Sequence, residues 1–218
     1  MFKEKNNFAK KREKMVKKQL KSRGIDDENV IRAFKEVPRE KFVPDHLKEY
    51  SYQDGPLPIG DNQTISQPYI VAEMVQALQL TREGVVLEIG TGSGYEAAIL
   101  SKIAEHVYSV ERIQSLADKA KMILDELNYQ NITIEIGDGS LGWPVGDKVF
   151  DGIIVSASAP KIPESYKNQL KIGGNLVIPV GSKASQTLYK VKKNSIENLE
   201  KINLGYVRFV PLIGEQAW

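Results

Sequence analysis

The chain has 218 residues, 41% of them hydrophobic and 27% charged, the proportions of an ordinary globular protein able to bury a full core. Collagen, coiled coil and disorder are excluded as readings of the whole chain, and no run approaches the ~20 uninterrupted apolar residues of a membrane helix. Without cysteine, and with His46 and His106 as its two histidines, the chain has no thiolates and little imidazole for a metal site, so none is expected; its chemistry must use oxygen groups or a cofactor.

The net charge of +2 conceals an asymmetry. Residues 1–23 hold ten Lys/Arg against two Glu, which leaves 20 of the 30 basic and 26 of the 28 acidic residues, a charge near −6, on the rest. This basic arm reads either as a solvated helix face or as a surface for an acidic partner. Phe2 and Phe8 are the arm's two aromatic residues and no recognised nucleic-acid motif accompanies them, so a nucleic-acid partner is not expected. Charges also stand where a signal peptide has its apolar region, which makes the cytoplasm the expected compartment and a membrane partner unexpected.

Three helical pieces come first. Residues 7–23 carry Met15, Val16 and Leu20 on one side and end at Gly24; Asp26 is positioned to cap the next helix, whose stripe is Val30, Ile31, Phe34 and Val37; Pro38 stops it, and REKFVPDHLKEY follows as an interrupted piece. Residues 51–65, SYQDGPLPIGDNQTI, are too rich in Gly, Pro and Asp for a regular element, and so long a connection is usually functional. A helix over QPYIVAEMVQALQL comes next. Then VVLEI, VYSVE, ITIEI, DGIIVSA and NLVIPV alternate with the helical stretches YEAAILSKIAE, IQSLADKAKMILDELN and ESYKNQLK, the pattern of a parallel α/β sheet. At the end, TLYKVKK and YVRFVPLI have no helix between them and read as antiparallel edge strands. The economical count is one domain over 1–218, with a helical region carrying the loop in 1–80 and an α/β core with added strands in 81–218.

In VVLEIGTGSGYEAA a strand runs into Gly90, Gly92 and Gly94 and a helix starts at once, so backbone N–H groups meet a ligand at the carboxyl edge of the sheet. Thr91 and Ser93 complete the loop. A dinucleotide site is the rival, because Gly92 to Ala97 fits G-x-G-x-x-A. Glu111, about 20 residues on at the end of the second strand, is placed to accept two ribose hydroxyls, with Arg112 beside it as its alternative partner. Asp138 and Gly139 follow the third strand, either as an adenine contact or as a plain Asp-Gly turn. Glu88 lies inside a buried run and needs a partner, which a ligand ammonium would supply.

The runs MVKKQLKSRGI, VPREKFVP, PLPIGDNQTISQPYIVAEM, LEIGTGSGYEAA, VYSVER, GDGSLGWP, FDGIIVSASAP and VRFVPL together resemble the protein-L-isoaspartate O-methyltransferase family, within the class I S-adenosylmethionine-dependent methyltransferases. The resemblance implies a Rossmann-like, mostly parallel sheet with helices on both faces and S-adenosylmethionine as cofactor, leaving S-adenosylhomocysteine as product. It implies an acceptor too, the free carboxylate of L-isoaspartyl or D-aspartyl residues in damaged proteins and peptides. Glu88, the loop from Gly90 to Gly94, Glu111 with Arg112, and Asp138 with Gly139 would bind the cofactor. Ser66, the serine of the T-I-S motif, would hold the acceptor carboxylate, with Gln63, Thr64, Ile65, Ala159 and Pro160 around the substrate; Ser66 just before Pro68 also reads as a helix cap. A carboxylate acceptor is ionised at pH 7 and needs no general base, in keeping with the shortage of histidine. Ile213 departs from the threonine expected in some members, which puts a cofactor contact there in doubt. The same fold acting on RNA or a small molecule, a non-catalytic adenosyl-binding module, and an NAD-linked oxidoreductase are the alternatives.

Overall fold

The computed structural model describes residues 2–218. Helix α1 (Phe2–Met15) passes into a π turn over Val16–Leu20 and a 3-10 turn over Lys21–Arg23, closed by Gly24 at φ 91°. Val16 and Leu20 are buried, so the apolar side expected there is real, but the wider π turn is what carries it inward. Helix α2 (Glu28–Glu36) buries Val30, Ile31, Ala33 and Phe34 and ends before Pro38. Its cap is Asp27, not Asp26: the Asp27 carboxylate accepts the N–H groups of Asn29 and Val30, while the Asp26 N–H donates to Gln76 of a distant helix. Two adjacent aspartates offer the same local chemistry, and the N–H groups of both donate to Gln76.

The stretch 51–65 is not structureless. β1 (Leu57–Gly60) and β2 (Gln63–Ile65) form an antiparallel hairpin joined by Asp61 and Asn62, both at positive φ. Asp and Asn tolerate that conformation, and two such residues make the turn whose twist matches a hairpin. Helix α3 (Pro68–Leu78) follows, with proline in its first turn.

The main sheet has the order β5-β4-β3-β6-β7-β8-β9, built from β3 (Val85–Ile89), β4 (His106–Glu111), β5 (Ile132–Ile136), β6 (Phe150–Val155), β7 (Leu170–Gly181), β8 (Gln186–Lys193) and β9 (Leu199–Val207). The first five in that order are parallel, and β8 and β9 add antiparallel. Between them run α4 (Tyr95–Leu100), α5 (Gln114–Glu126) and α6 (Glu164–Gln169). Alternate residues of the central strands enter two separate cores: Val86, Ile154 and Val177 pack toward the amino-terminal helices, α3, α4 and α5, and Leu87, Ile153 and Leu176 toward Trp143, Phe150 and Tyr166. Burial on both faces is why these runs read as continuously apolar.

Several boundaries differ from expectation, among them the start of β7 at Leu170, five residues ahead of NLVIPV. α4 stops at Leu100 instead of reaching residue 105, because the chain must return to β4. The last strand is Leu199–Val207, mostly ahead of the expected run; of YVRFVPLI, only Tyr206 and Val207 belong to it. The remainder leaves the sheet and crosses its carboxyl end, where the Phe209 N–H donates to Gln186 of β8 and Pro211 bridges Ser158 beyond β6. No described helix is long and apolar enough to cross a membrane.

Candidate active site

Strand order reverses at β3, which has β4 on one side and β6 on the other, so the loops leaving these strands diverge and open a crevice at the carboxyl edge. A cleft of about 320 Å³ lies there. Its floor is the glycine loop with Gly90, Gly92 and Gly94 at φ 96°, 53° and 84°, backbone that other residues rarely adopt. The hairpin forms the opposite wall. Ile59 packs so closely that a Cβ on Gly92 would stand 3.4 Å from its Cδ1, and the Ser115 hydroxyl of α5 donates to Asp61 at the hairpin tip over 2.8 Å.

Of the residues expected to form the site, the structure brings Gln63, Thr64, Ile65 and Ser66 to one wall and Gly90, Thr91, Gly92, Ser93, Glu111, Arg112 and Gly139 to the other. The Glu111 carboxylate accepts the Gly92 N–H and the Ile113 N–H, each over 2.9 Å. It straps the loop to the end of β4 and keeps a free lone pair on each oxygen. Ser66 is half-buried and is not a cap: α3 is capped by Gln67, without any side-chain bond, so the capping alternative falls.

Glu88, Gly94, Asp138, Ala159 and Pro160 stand outside the lining. Glu88 is fully buried behind the loop, where the Ser109 hydroxyl, itself paired with Thr91, donates to one oxygen while the other has no partner. Burial, reinforced by the like charge of Glu96, raises its carboxyl well above the usual range. Gly94 faces α5, where a Cβ would come within 3.2 Å of Ala120. Asp138 is spoken for, accepting the Ser140 N–H, the Ser140 hydroxyl and the Glu215 N–H. Burial alone would raise it, but those donors hold it below the ordinary carboxylate value. Ala159 bonds through its backbone to Pro179 and Gly181, which draws it and Pro160 against β7 and away from the cleft.

Several lining residues were not singled out by sequence. Glu96 is buried in the wall, accepts the Ser156 hydroxyl over 2.9 Å, and is pushed by burial from the ordinary 4.5 to about 7. A carboxylate inside the otherwise apolar YEAAIL was the available signal. Asn62, Tyr95, Ser156 and Leu212 also line the cleft, and so does Ile213. Nothing local marks Leu212, whose N–H bonds the Ser158 carbonyl far away in the chain.

The arrangement joins a backbone-donor loop, an acidic face of Glu96 and Glu111, apolar strips from Ile89, Val110 and Leu212, and a free serine hydroxyl. That donor set fits a ligand with a diol, an aromatic base and a cationic end. Among the described residues no group of three or more His, Cys, Asp or Glu is arranged to hold a metal ion.

The profile of the protein-L-isoaspartate(D-aspartate) O-methyltransferase family matches residues 10–217. A protein-L-isoaspartate O-methyltransferase of Petrotoga mobilis is 52% identical over 212 residues, covering 97% of this chain and all of the relative. One from Pelotomaculum thermopropionicum is 52% identical over 216 residues, 99% of this chain and 94% of the relative. Among solved structures, a protein-L-isoaspartate O-methyltransferase superposes with a TM-score of 0.83 at 31% identity, over 94% of this chain and 67% of the other. A Plasmodium falciparum structure described as such an enzyme, in complex with S-adenosyl-L-homocysteine, gives 0.78 at 27% identity over 93% and 98%.

Proposed function

The chain belongs to the protein-L-isoaspartate(D-aspartate) O-methyltransferase family, and on that premise we propose that the cleft at the β3/β6 switch point is its active site. The protein is a repair enzyme that transfers a methyl group from S-adenosylmethionine to the free carboxylate of L-isoaspartyl residues in damaged proteins and peptides. D-aspartyl residues are the second acceptor, residues 1–218 act as one methyltransferase domain, and the cytoplasm is the compartment.

S-adenosylmethionine, when bound, would supply an activated methyl group on a sulfonium, whose sulfur leaves as a neutral thioether. The residues of this chain bind and orient. The Thr91 and Ser93 N–H groups of the glycine loop suit a carboxylate, Glu111 a ribose diol, and the segment around Gly139 with Ile89 and Val110 the face of a base. The hairpin wall, with Ile65 buried and Ser66 half-buried, keeps water from the acceptor side. Ser66 donates to one oxygen of the acceptor carboxylate and leaves the other to react, while Gln63 and Thr64 shape the entry. Since a carboxylate is already ionised at neutral pH, no residue has to remove a proton, and the rate comes from alignment.

The observation that supports this reading best is the juxtaposition, in one cleft, of the uncapped Ser66 with the glycine loop. It is tested with labelled S-adenosylmethionine and one peptide made in L-isoaspartyl and L-aspartyl forms. A base-labile methyl ester on the isoaspartyl form alone, lost by at least ~100-fold in Ser66→Ala without a change in melting temperature, is expected. Equal labelling of both forms would overturn the selectivity, and a fully active Ser66→Ala would overturn the role of the serine.

A further inference from the structure

One side chain outside the cleft grips both ends of the segment that carries its substrate wall. Arg39 Nε donates to the Ser51 carbonyl over 2.8 Å, and its Nη2 donates to the Ser66 carbonyl over 2.7 Å. The same guanidinium carbon lies 4.8 Å from the ring centroid of Tyr95, the residue that opens α4 after the glycine loop and lines the cleft. Arg39 is 0% exposed, takes part in no ion pair among the described residues, and has no partner for Nη1. Stability alone does not select such a group, because a buried cation without a carboxylate loses more in desolvation than an apolar side chain of similar volume would. A planar fork able to hold two carbonyls at once while stacking on an aromatic ring is what only arginine provides.

We infer that Arg39 is a positioning residue for methyl transfer, fixing the backbone of Ser66 against Tyr95 and the glycine loop so that the serine hydroxyl is held toward the acceptor. The inference rests on the reading of Ser66 as the acceptor-binding residue. It follows from how α3 begins: with no side-chain cap to orient Ser66 and a hydroxyl that must stay free, the only side-chain donor to the Ser66 carbonyl among the described residues is Arg39. In-line transfer is sensitive to errors of about 1 Å, which can cost ~100-fold in rate. Lysine keeps the charge but cannot reach both carbonyls, so it separates geometry from electrostatics.

The test is a double-mutant cycle on Arg39→Lys and Ser66→Ala in the full chain. The readout is the single-turnover rate of methyl transfer to an isoaspartyl peptide, per site titrated with S-adenosylhomocysteine. Arg39→Lys is expected to slow transfer at least about tenfold with product affinity within about threefold of the parent, and to have no further effect of that size when Ser66 is already alanine. A smaller loss in the single variant, multiplicative losses in the double variant, or a parallel fall in product affinity overturns the inference. Should Arg39→Lys not fold, Arg39→Gln is measured by the same criteria, and failure of both to bind S-adenosylhomocysteine makes Arg39 a part of the fold and overturns it equally. If Ser66→Ala alone is as fast as the parent, it is the reading of the serine that has failed.

Discussion

The two walls of the cleft are held in different ways. The cofactor wall is a strand, a glycine loop and a helix from one run of 14 residues, residues 85–98, and its main strap, Glu111, comes from the adjacent strand. The hairpin wall buries Ile59 and Ile65 in the core, and its polar supports come from far along the chain. It is held by Arg39, by Ser115, and through Tyr52 by a buried polar cluster in which Arg12 donates to the Tyr52 hydroxyl over 2.8 Å, to Glu40 over 3.2 Å and to the Lys35 carbonyl over 3.1 Å, while Tyr52 donates to Glu40. A wall made from neighbours in sequence is rigid by local geometry. One made from side chains far apart in sequence is rigid only while the network is complete, because each missing member leaves a buried partner unsatisfied.

That contrast can be broken most forcefully at Arg12. With side-chain exposures of 14% for Arg12 and 11% for Glu40, Arg12→Ala is expected to cost about 3 kcal/mol in urea unfolding and to raise the peptide KM more than it weakens S-adenosylhomocysteine. Equal damage to both ligands would show that the walls are not separately supported. Glu96 tests the cofactor wall by pH. Its carboxyl stays protonated up to about 7 in the folded chain but ionises near 4.5 when unfolded, so the native state holds the extra proton between these values. Stability should therefore fall as pH rises from about 4.5 to about 7 and level off above, by on the order of 3 kcal/mol. Glu96→Gln should flatten that fall and leave only the part due to Glu88, which is shifted the same way.

Gly94→Ala sharpens the comparison from the other side. At φ 84° and 3.2 Å from Ala120, the added methyl should cost about 2 kcal/mol and weaken the cofactor more than the peptide. Calorimetric titration with S-adenosylhomocysteine reads it, and an unchanged affinity would mean that the loop is less constrained than its backbone indicates. The smallest effect lies away from both walls: Asp27→Ala should lower stability by about 1 kcal/mol through loss of the α2 cap. Asp26→Ala should leave the melting temperature unchanged, since only its backbone N–H is used.

What could be read before folding follows the same division. The central strands, the glycine loop and Glu111 were legible because each is a short-range pattern: apolar runs, glycines where a strand must turn into a helix, an acid at the end of the next strand. Ser66 was legible only through resemblance to a family, and its freedom from capping was not, because Ser66-Gln67-Pro68 permits a helix to begin after either residue. Glu88 and Glu96 were misweighted for a related reason. Both are acids in apolar runs, but strand geometry turns Glu88 behind the loop while the first turn of α4 brings Glu96 to the cleft.

The sequence by itself determined the α/β architecture, the family, and the chemistry of a backbone-donor loop with a carboxylate beyond it, since all of these depend on residues that are neighbours or on periodicities of a single element. Only the tertiary structure decided that residues 51–65 form a hairpin wall, that Asp138 latches the carboxyl-terminal segment instead of facing the cleft, and that Arg39 reaches Ser66. Each of these joins groups separated by many residues or selects among equivalent local options. The deciding energy lies in satisfying buried donors and acceptors across the fold, and no local pattern encodes it.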